Sequence, residues 1–401
     1  EYVRIRGDQL KPRDGRYEIR VTNELEEALF VDRLQLVAVA HPEGTEVYPN
    51  EGLVGRPRPP FKLHVTRDSR SPAKATDHHG HDVLDRITHL DRRYPDDFRL
   101  HPIRGYAEEH SLNIDLGETA SPRTRLLLTG WTDYSFSSDN VAAHQAGLGL
   151  RPPSLQFKDE RGDWKTLIEN IGFPVGRPQT IVVELTGKLP PRAREVRVVT
   201  NMRIYWDQAL VDTSGGDFLF EMTRFEPLRA DLRWRGFSAE VTPDGREPFG
   251  YDYERVSMTS PWKVMPGRYT REGDVRELLL RTDNMFVISR PGDEIALSFD
   301  AGALRPLRRG WKRTFLLYAV GYSKEMDINS ASPDAVGPLP FQGMKSYPYK
   351  APESYPITRA HREYIERYNT RVVAAPILPV EAELIYSRSS RPSQTGHGAS
   401  K

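Results

Sequence analysis

The stretch QTIVVELTGKLPPRAREVRVVTNMRIYWDQALVD, residues 179–212, decides the fold. It reads as a strand, a basic and polar loop, a second strand and a final aromatic strand. Just upstream, SLQFKDERGDWKTL (154–167) reads as a β-hairpin, with a turn over 159–163 and Trp164 opening the return strand. Similar short runs rich in β-branched or aromatic residues recur along the chain: RYEIRV, LFVDRLQLVAVA, SLNIDL, RLLLT, FLFEMTRF, ELLLRT, MFVISR, EIALSFD and TFLLYAV. Explicit turns such as PRDG, TPDGRE and RPGDE bound them. Many short strands, a high proline count and few helical patterns predict an all-β protein of two or three β-sandwich modules.

The one extended helical pattern is TRAHREYIERYNT (358–370), where Tyr364, Ile365 and Tyr368 share a face. Shorter helical turns are expected at DVLDRITHL and DNVAAHQAG. The Pro-rich run 52–82 reads as an irregular surface excursion. The expected organisation is an N-terminal β module (1–105) that includes this excursion, a central sandwich (106–225), and a C-terminal β-rich module (226–386) with an extended arm and the short helix. A tail over 387–401 lacks apolar residues and is expected to be disordered.

Composition excludes several classes. The chain has 401 residues, 57 basic and 56 acidic, for a net charge of +1, so no global field draws it to nucleic acid or an anionic membrane. Without cysteine it has no disulfide, no thiol chemistry and no cysteine-ligated metal. No apolar run reaches membrane-spanning length. The opening EYVRIRGDQL reads like the interior of a protein, and the chain is expected to be the C-terminal part of something longer. Motifs for serine nucleophiles, zinc peptidases and phosphate-binding loops are missing from the sequence.

Two resemblances add to this reading. Around 106–225, the hairpin pattern D-x-x-G-x-W (Asp159, Gly162, Trp164) before a strand pair with a VRV edge resembles the galactose-binding-like, jelly-roll fold. Over most of the chain, EGTEVYPNE, LLLTGWTDYSFSSDNVAAHQAGL, NMRIYWDQALVDTS, ADLRWRGFS, GRYTREGDVRELL, FLLYAVGYSKEMDINS and LPFQGMKSYPY resemble the C-terminal region of secreted bacterial FG-GAP/VCBS-repeat proteins of the CRTAC type. That resemblance implies an extracytoplasmic protein with a large modular parent, and it implies no reaction.

Candidate sites follow from residue chemistry. DHHGHD places His78, His79 and His81 between Asp77 and Asp82, residue types that suit zinc, copper or nickel. The loop lacks a regular scaffold, and a solvated loop is the preferred reading. In SKEMDINS, Asp327 and Asn329 would suit calcium, yet one carboxylate and one amide hold it poorly, and turn chemistry is preferred. No other cofactor is expected. Trp131, Asp133, Tyr134, Asn140, Tyr205 and Asp207 would form a ligand-binding rim, with stacking surfaces and a few hydrogen-bonding groups for a carbohydrate or protein surface. The expected function is a non-catalytic binding or assembly module. The alternatives are a glycan hydrolase using Asp133 and Asp207, and a structural subunit whose long Tyr/Pro segments wrap other chains of an assembly. Asp207 is expected to serve structure, accepting hydrogen bonds from loop N–H groups or from Asn140 or Gln145.

Overall fold

The computed structural model describes residues 1–5, 9–54, 60–118, 123–215, 218–242 and 245–374. The tail read as disordered, 387–401, lies outside the described residues. Strands dominate, and the two α-helices described, Ser137–Gln145 and Arg359–Tyr368, are short. The all-β expectation holds. Among the described residues, no helix is long and apolar enough to cross a membrane.

The strands of the opening stretch split between two sheets that share one core. Glu195–Met202 lies in a five-stranded sheet, ordered Trp164–Ile168, Ser154–Lys158, Glu195–Met202, Tyr106–Asp115 and Lys74–Thr76. Ile204–Asp212 and Gln179–Glu184 flank Arg125–Thr132 in a three-stranded sheet. Leu112, Ile114, Leu155, Val196 and Val198 from the first sheet meet Leu126, Leu128, Ile181, Val183 and Trp206 from the second in one apolar cluster. Along Glu195–Met202 burial alternates with the pleat, because only one face of the strand meets this core.

The hairpin turn is held by its own chemistry: Asp159 Oδ1 accepts from the N–H groups of Arg161 and Asp163, and Gly162 takes φ 89°. Trp164, by contrast, stays outside the core. It is half-buried beneath the Arg197 guanidinium, 4.5 Å from ring centre, with Lys158 at 5.8 Å.

A second unit draws on both ends of the chain. Glu27–Pro42 pairs along its length with Trp311–Glu325, and Tyr2–Ile5 pairs with the other edge of Trp311–Glu325. A facing sheet runs Gly273–Asp274, Arg229–Trp234, Asp293–Asp300, Arg16–Thr22. Leu34, Leu36 and Ala38 meet Leu232, Ile295, Leu297 and Phe299 in its core, and Tyr364 and Tyr368 of the C-terminal helix join them. On the opposite face, Val37 and Val39 pack against Val47 and Val65. Burial on both faces explains the near-continuous apolar run LFVDRLQLVAVA. The pairing therefore crosses the segment boundaries drawn from the sequence, since strands before residue 43 complete sheets made by strands after residue 220.

Several local readings change. ELLLRT is no strand: Arg276–Leu279 forms a 3-10 turn that buries Leu278 and Leu279. The excursion 52–82 contains the strands Leu63–Arg67 and Lys74–Thr76. The arm GPLPFQGMKSYPYKAPESYP packs on its own chain, where Tyr322, Leu339, Phe341, Tyr349 and Tyr355 join one apolar cluster.

Leu128 is fully buried between the sheets, whereas Trp164 contributes an outer-face stack. Leu128→Ala should lower unfolding free energy by about 2–5 kcal/mol, and Trp164→Ala by no more than about 1 kcal/mol. Urea unfolding of the two variants against the parent chain checks the order.

Candidate functional site

Asp207 sits at a β-bulge. In the pairing of Ile204–Asp212 with Arg125–Thr132, Trp206 faces Gly130 and Gln208 faces Thr129, so Asp207 is the extra residue. A bulge re-aims its side chain out of the sheet's alternation. The Asp207 carboxylate turns to a neighbouring loop, where its Oδ1 accepts from the N–H of Asp91 at 3.2 Å and of Arg92 at 2.8 Å. Gly130 makes the close approach feasible, because a Cβ there would lie 2.6 Å from the Tyr205 carbonyl oxygen. Asn140 is not a partner; its Oδ1 accepts from Tyr106 and Ser135 hydroxyls.

The same device occurs in the second unit. Between Glu27–Pro42 and Trp311–Glu325, Val320 faces Arg33 and Gly321 faces Val31, which leaves Asp32 as the extra residue. Its Oδ1 accepts from the N–H groups of Asp283 and Asn284, both at 3.1 Å. Arg92 and Asn284 both take positive φ, 64° and 68°. Arg93 N–H donates to Asp91 Oδ1, and Met285 N–H to Asp283 Oδ1, both at 3.1 Å. Burial pushes both carboxyls up, Asp207 to about 6 and Asp32 to about 6, against the pull of the N–H groups.

Asp133 is buried in a different network. Its Oδ1 accepts from Arg104 Nε at 2.7 Å and its Oδ2 from Arg203 Nη1 at 3.1 Å. Arg203 also reaches Glu247 at 3.1 Å and the carbonyls of Tyr106, His101 and Ile103. Tyr205 donates its hydroxyl to Glu247 at 2.9 Å. Burial, then the Asp133 charge, raises the Glu247 carboxyl above its ordinary value. Trp131, half-buried, packs with Tyr205, Phe98 and Tyr94; Tyr134, also half-buried, meets Phe136 edge-on. The structure thus joins Asp133, Tyr205 and Trp131, while Asn140 and Asp207 belong to other contacts. Asp133 and Asp207 share no hydrogen-bond partner among the described residues, and Asp133, Tyr205 and Asp207 are buried. A glycosidase needs two carboxyls facing one sugar, and both of these are committed to partners within the chain.

The histidines divide into two groups: His78 and His79 with Glu108, and His81 with Asp77 and Asp97. Their loop is pinned. Asp77 Oδ1 accepts from the N–H groups of His79 and His81, both at 2.9 Å, and Asn113 Nδ2 donates to the Asp77 carbonyl at 2.8 Å. Desolvation would raise the Asp77 carboxyl, but these N–H groups and the His81 imidazole outweigh it and hold it below its ordinary value. Glu108 also lines an open groove of about 320 Å³ with Arg99, Glu109, Arg151, Asn201, Leu100 and Leu148. Asp327 does what turn chemistry asks: Oδ1 accepts from Asn329 N–H at 2.8 Å, and the carboxylate also holds Ser138 at the start of the first helix. Asn329 donates to the Ser138 hydroxyl at 2.9 Å, so the two side chains tie the helix to the strand end.

Sequence reasoning missed Glu108, Arg104 and Arg203. Glu108 gives no local signal, since its relation to His78 exists only through the pairing of Lys74–Thr76 with Tyr106–Asp115. No family model, curated protein or solved structure matches this chain.

Because the folded Asp207 carboxyl lies above its ordinary 3.8, it favours the folded state most below about pH 4, and that contribution is lost as pH rises to about 6. Asp207→Asn keeps an acceptor and cannot titrate. The stability gap between parent and variant should therefore change between about pH 4 and 6 and stay level above. Asp207→Ala leaves two N–H groups without their acceptor and should cost about 1–3 kcal/mol. Urea unfolding across pH checks both, and a parallel pH profile for Asp207→Asn contradicts the assignment.

Proposed function

We propose that this chain is a non-catalytic module that binds a carbohydrate in the groove beside Tyr106–Asp115, as part of a larger secreted bacterial protein. The observation that carries the reading is the contrast between that groove and the rim. At the rim, both carboxylates that a hydrolase would use are buried against chain partners. The groove is lined by cationic, anionic and amide side chains together with the apolar Leu100 and Leu148. Sugars are recognised by planar polar groups that hydrogen-bond hydroxyls in pairs and by apolar surface under the ring. A volume of about 320 Å³ lies near the small end of ligand sites, roughly 300–1,000 Å³, and suits one or two sugar rings better than a protein surface. The extracytoplasmic setting rests on the resemblance to secreted repeat proteins.

Arg151 is the side chain to test, because its guanidinium pairs with Glu109 in the groove lining while its backbone N–H, which an alanine keeps, donates to Asn201 Oδ1 at 2.8 Å. Isothermal titration against a panel of neutral and acidic oligosaccharides should find a ligand whose affinity falls roughly tenfold or more in Arg151→Ala, with no turnover. Turnover abolished by Asp133→Asn or Asp207→Asn would replace this reading with the hydrolase. Binding of no oligosaccharide, with self-association dissolved by Met258→Lys, would replace it with assembly, since Tyr253, Val256 and Met258 on the hairpin Phe237–Val241/Gly250–Ser257 and just beyond it are exposed, Met258 by 64%.

A further inference from the structure

We infer that His78, His79 and Glu108 form a zinc site. One ligand atom from each lies within 4.8 Å of the other two, with two imidazole nitrogens and one carboxylate oxygen. Two neutral imidazoles and one carboxylate are a donor set that zinc takes readily, leaving a fourth position open.

The separation of the ligand atoms supports the assignment. His78 Nε2 is shielded from solvent and makes no hydrogen bond, yet it lies 3.5 Å from Glu108 Oε1. A hydrogen bond between them would be shorter and aligned. Two donors on a tetrahedral zinc, each about 2.0–2.1 Å from the metal, stand roughly 3.3–3.4 Å apart. The pair is therefore spaced for a shared ion. The His79 ring sits beside the His78 ring, 3.9 Å centre to centre, and its ligand nitrogen lies within 4.8 Å of both other ligand atoms.

The scaffold is rigid on both sides. His78 and His79 come from the loop that Asp77 and Asn113 pin to the sheet, and Gly80 turns it at φ 86°. Glu108 comes from the strand Tyr106–Asp115, and Arg99 holds it through a backbone N–H at 2.8 Å. That N–H donates to Oε1, the oxygen nearest His78 Nε2, and occupies one of its lone pairs, leaving the other for the ion, while the Arg99 guanidinium lies 3.5 Å from Oε2. His81 belongs to the other group, in contact with Asp77 at 3.1 Å and Asp97 at 3.5 Å. It is the internal control. The site shares Glu108 with the groove, and zinc titration without any oligosaccharide reads it separately from what the groove binds.

The test is zinc affinity of the full chain, stripped of metal and titrated in competition with a chromophoric chelator, with circular dichroism melting to show that each variant is folded. The parent should bind one equivalent. Glu108→Gln and His79→Ala should each weaken binding by roughly thirtyfold or more, and His81→Ala by less than about threefold. Should Glu108→Gln melt early, His79→Ala decides alone, because its side chain is exposed and carries no core contact. Absence of stoichiometric zinc in the parent, or loss in His81→Ala matching that in His79→Ala, overturns the assignment.

Discussion

A buried aspartate at a β-bulge, opposite a glycine, holds two N–H groups of a loop that belongs to no sheet. This interaction fixes both units of the protein. Backbone N–H groups buried without partners are costly, and Arg92 and Asn284 are in the left-handed region that disfavours ordinary side chains. A carboxylate is the acceptor that can hold two such donors at once. Burial then lifts its proton affinity, a shift that follows from the structural role.

The recurrence is what separates the two interpretations of Asp207. In the first unit the parts follow the order loop (Asp91, Arg92), glycine (Gly130), aspartate (Asp207). In the second the order is aspartate (Asp32), loop (Asp283, Asn284), glycine (Gly321). Each is a cyclic permutation of the other. Asp32 is fully buried, in a strand covered on both faces, and does not line the groove beside Tyr106–Asp115. An arrangement present there needs no substrate to explain it, and its copy at Asp207 needs none either. The proposed ligand surface is then the groove lined by Arg99, Glu108, Glu109, Arg151 and Asn201.

How much of this was legible depends on sequence distance. The hairpin at 154–168 was readable because Asp159, Gly162 and the return strand act within a few residues of one another. The helix at 359–368 was readable because its apolar stripe is a local period. The pairing of Glu27–Pro42 with Trp311–Glu325 was not, since its partners lie near opposite ends of the chain and nothing local names either one. ELLLRT misleads because its leucines can be buried from a tight turn as well as from a strand, as Leu278 and Leu279 are. In the site, the histidine loop was visible as composition, but Glu108 gains meaning only from the sheet. The repeated aspartate device escaped because its motifs are single residues and their order is permuted.

Amide hydrogen exchange at Arg92 and Asn284, read in the parent and in Asp207→Ala and Asp32→Ala, bears most directly on the structural role of the bulged aspartates. Both amides should be protected in the parent. Each should lose protection in the variant that removes its own acceptor, with the other left unchanged. Free exchange of both amides in the parent, or protection indifferent to either substitution, would contradict that role.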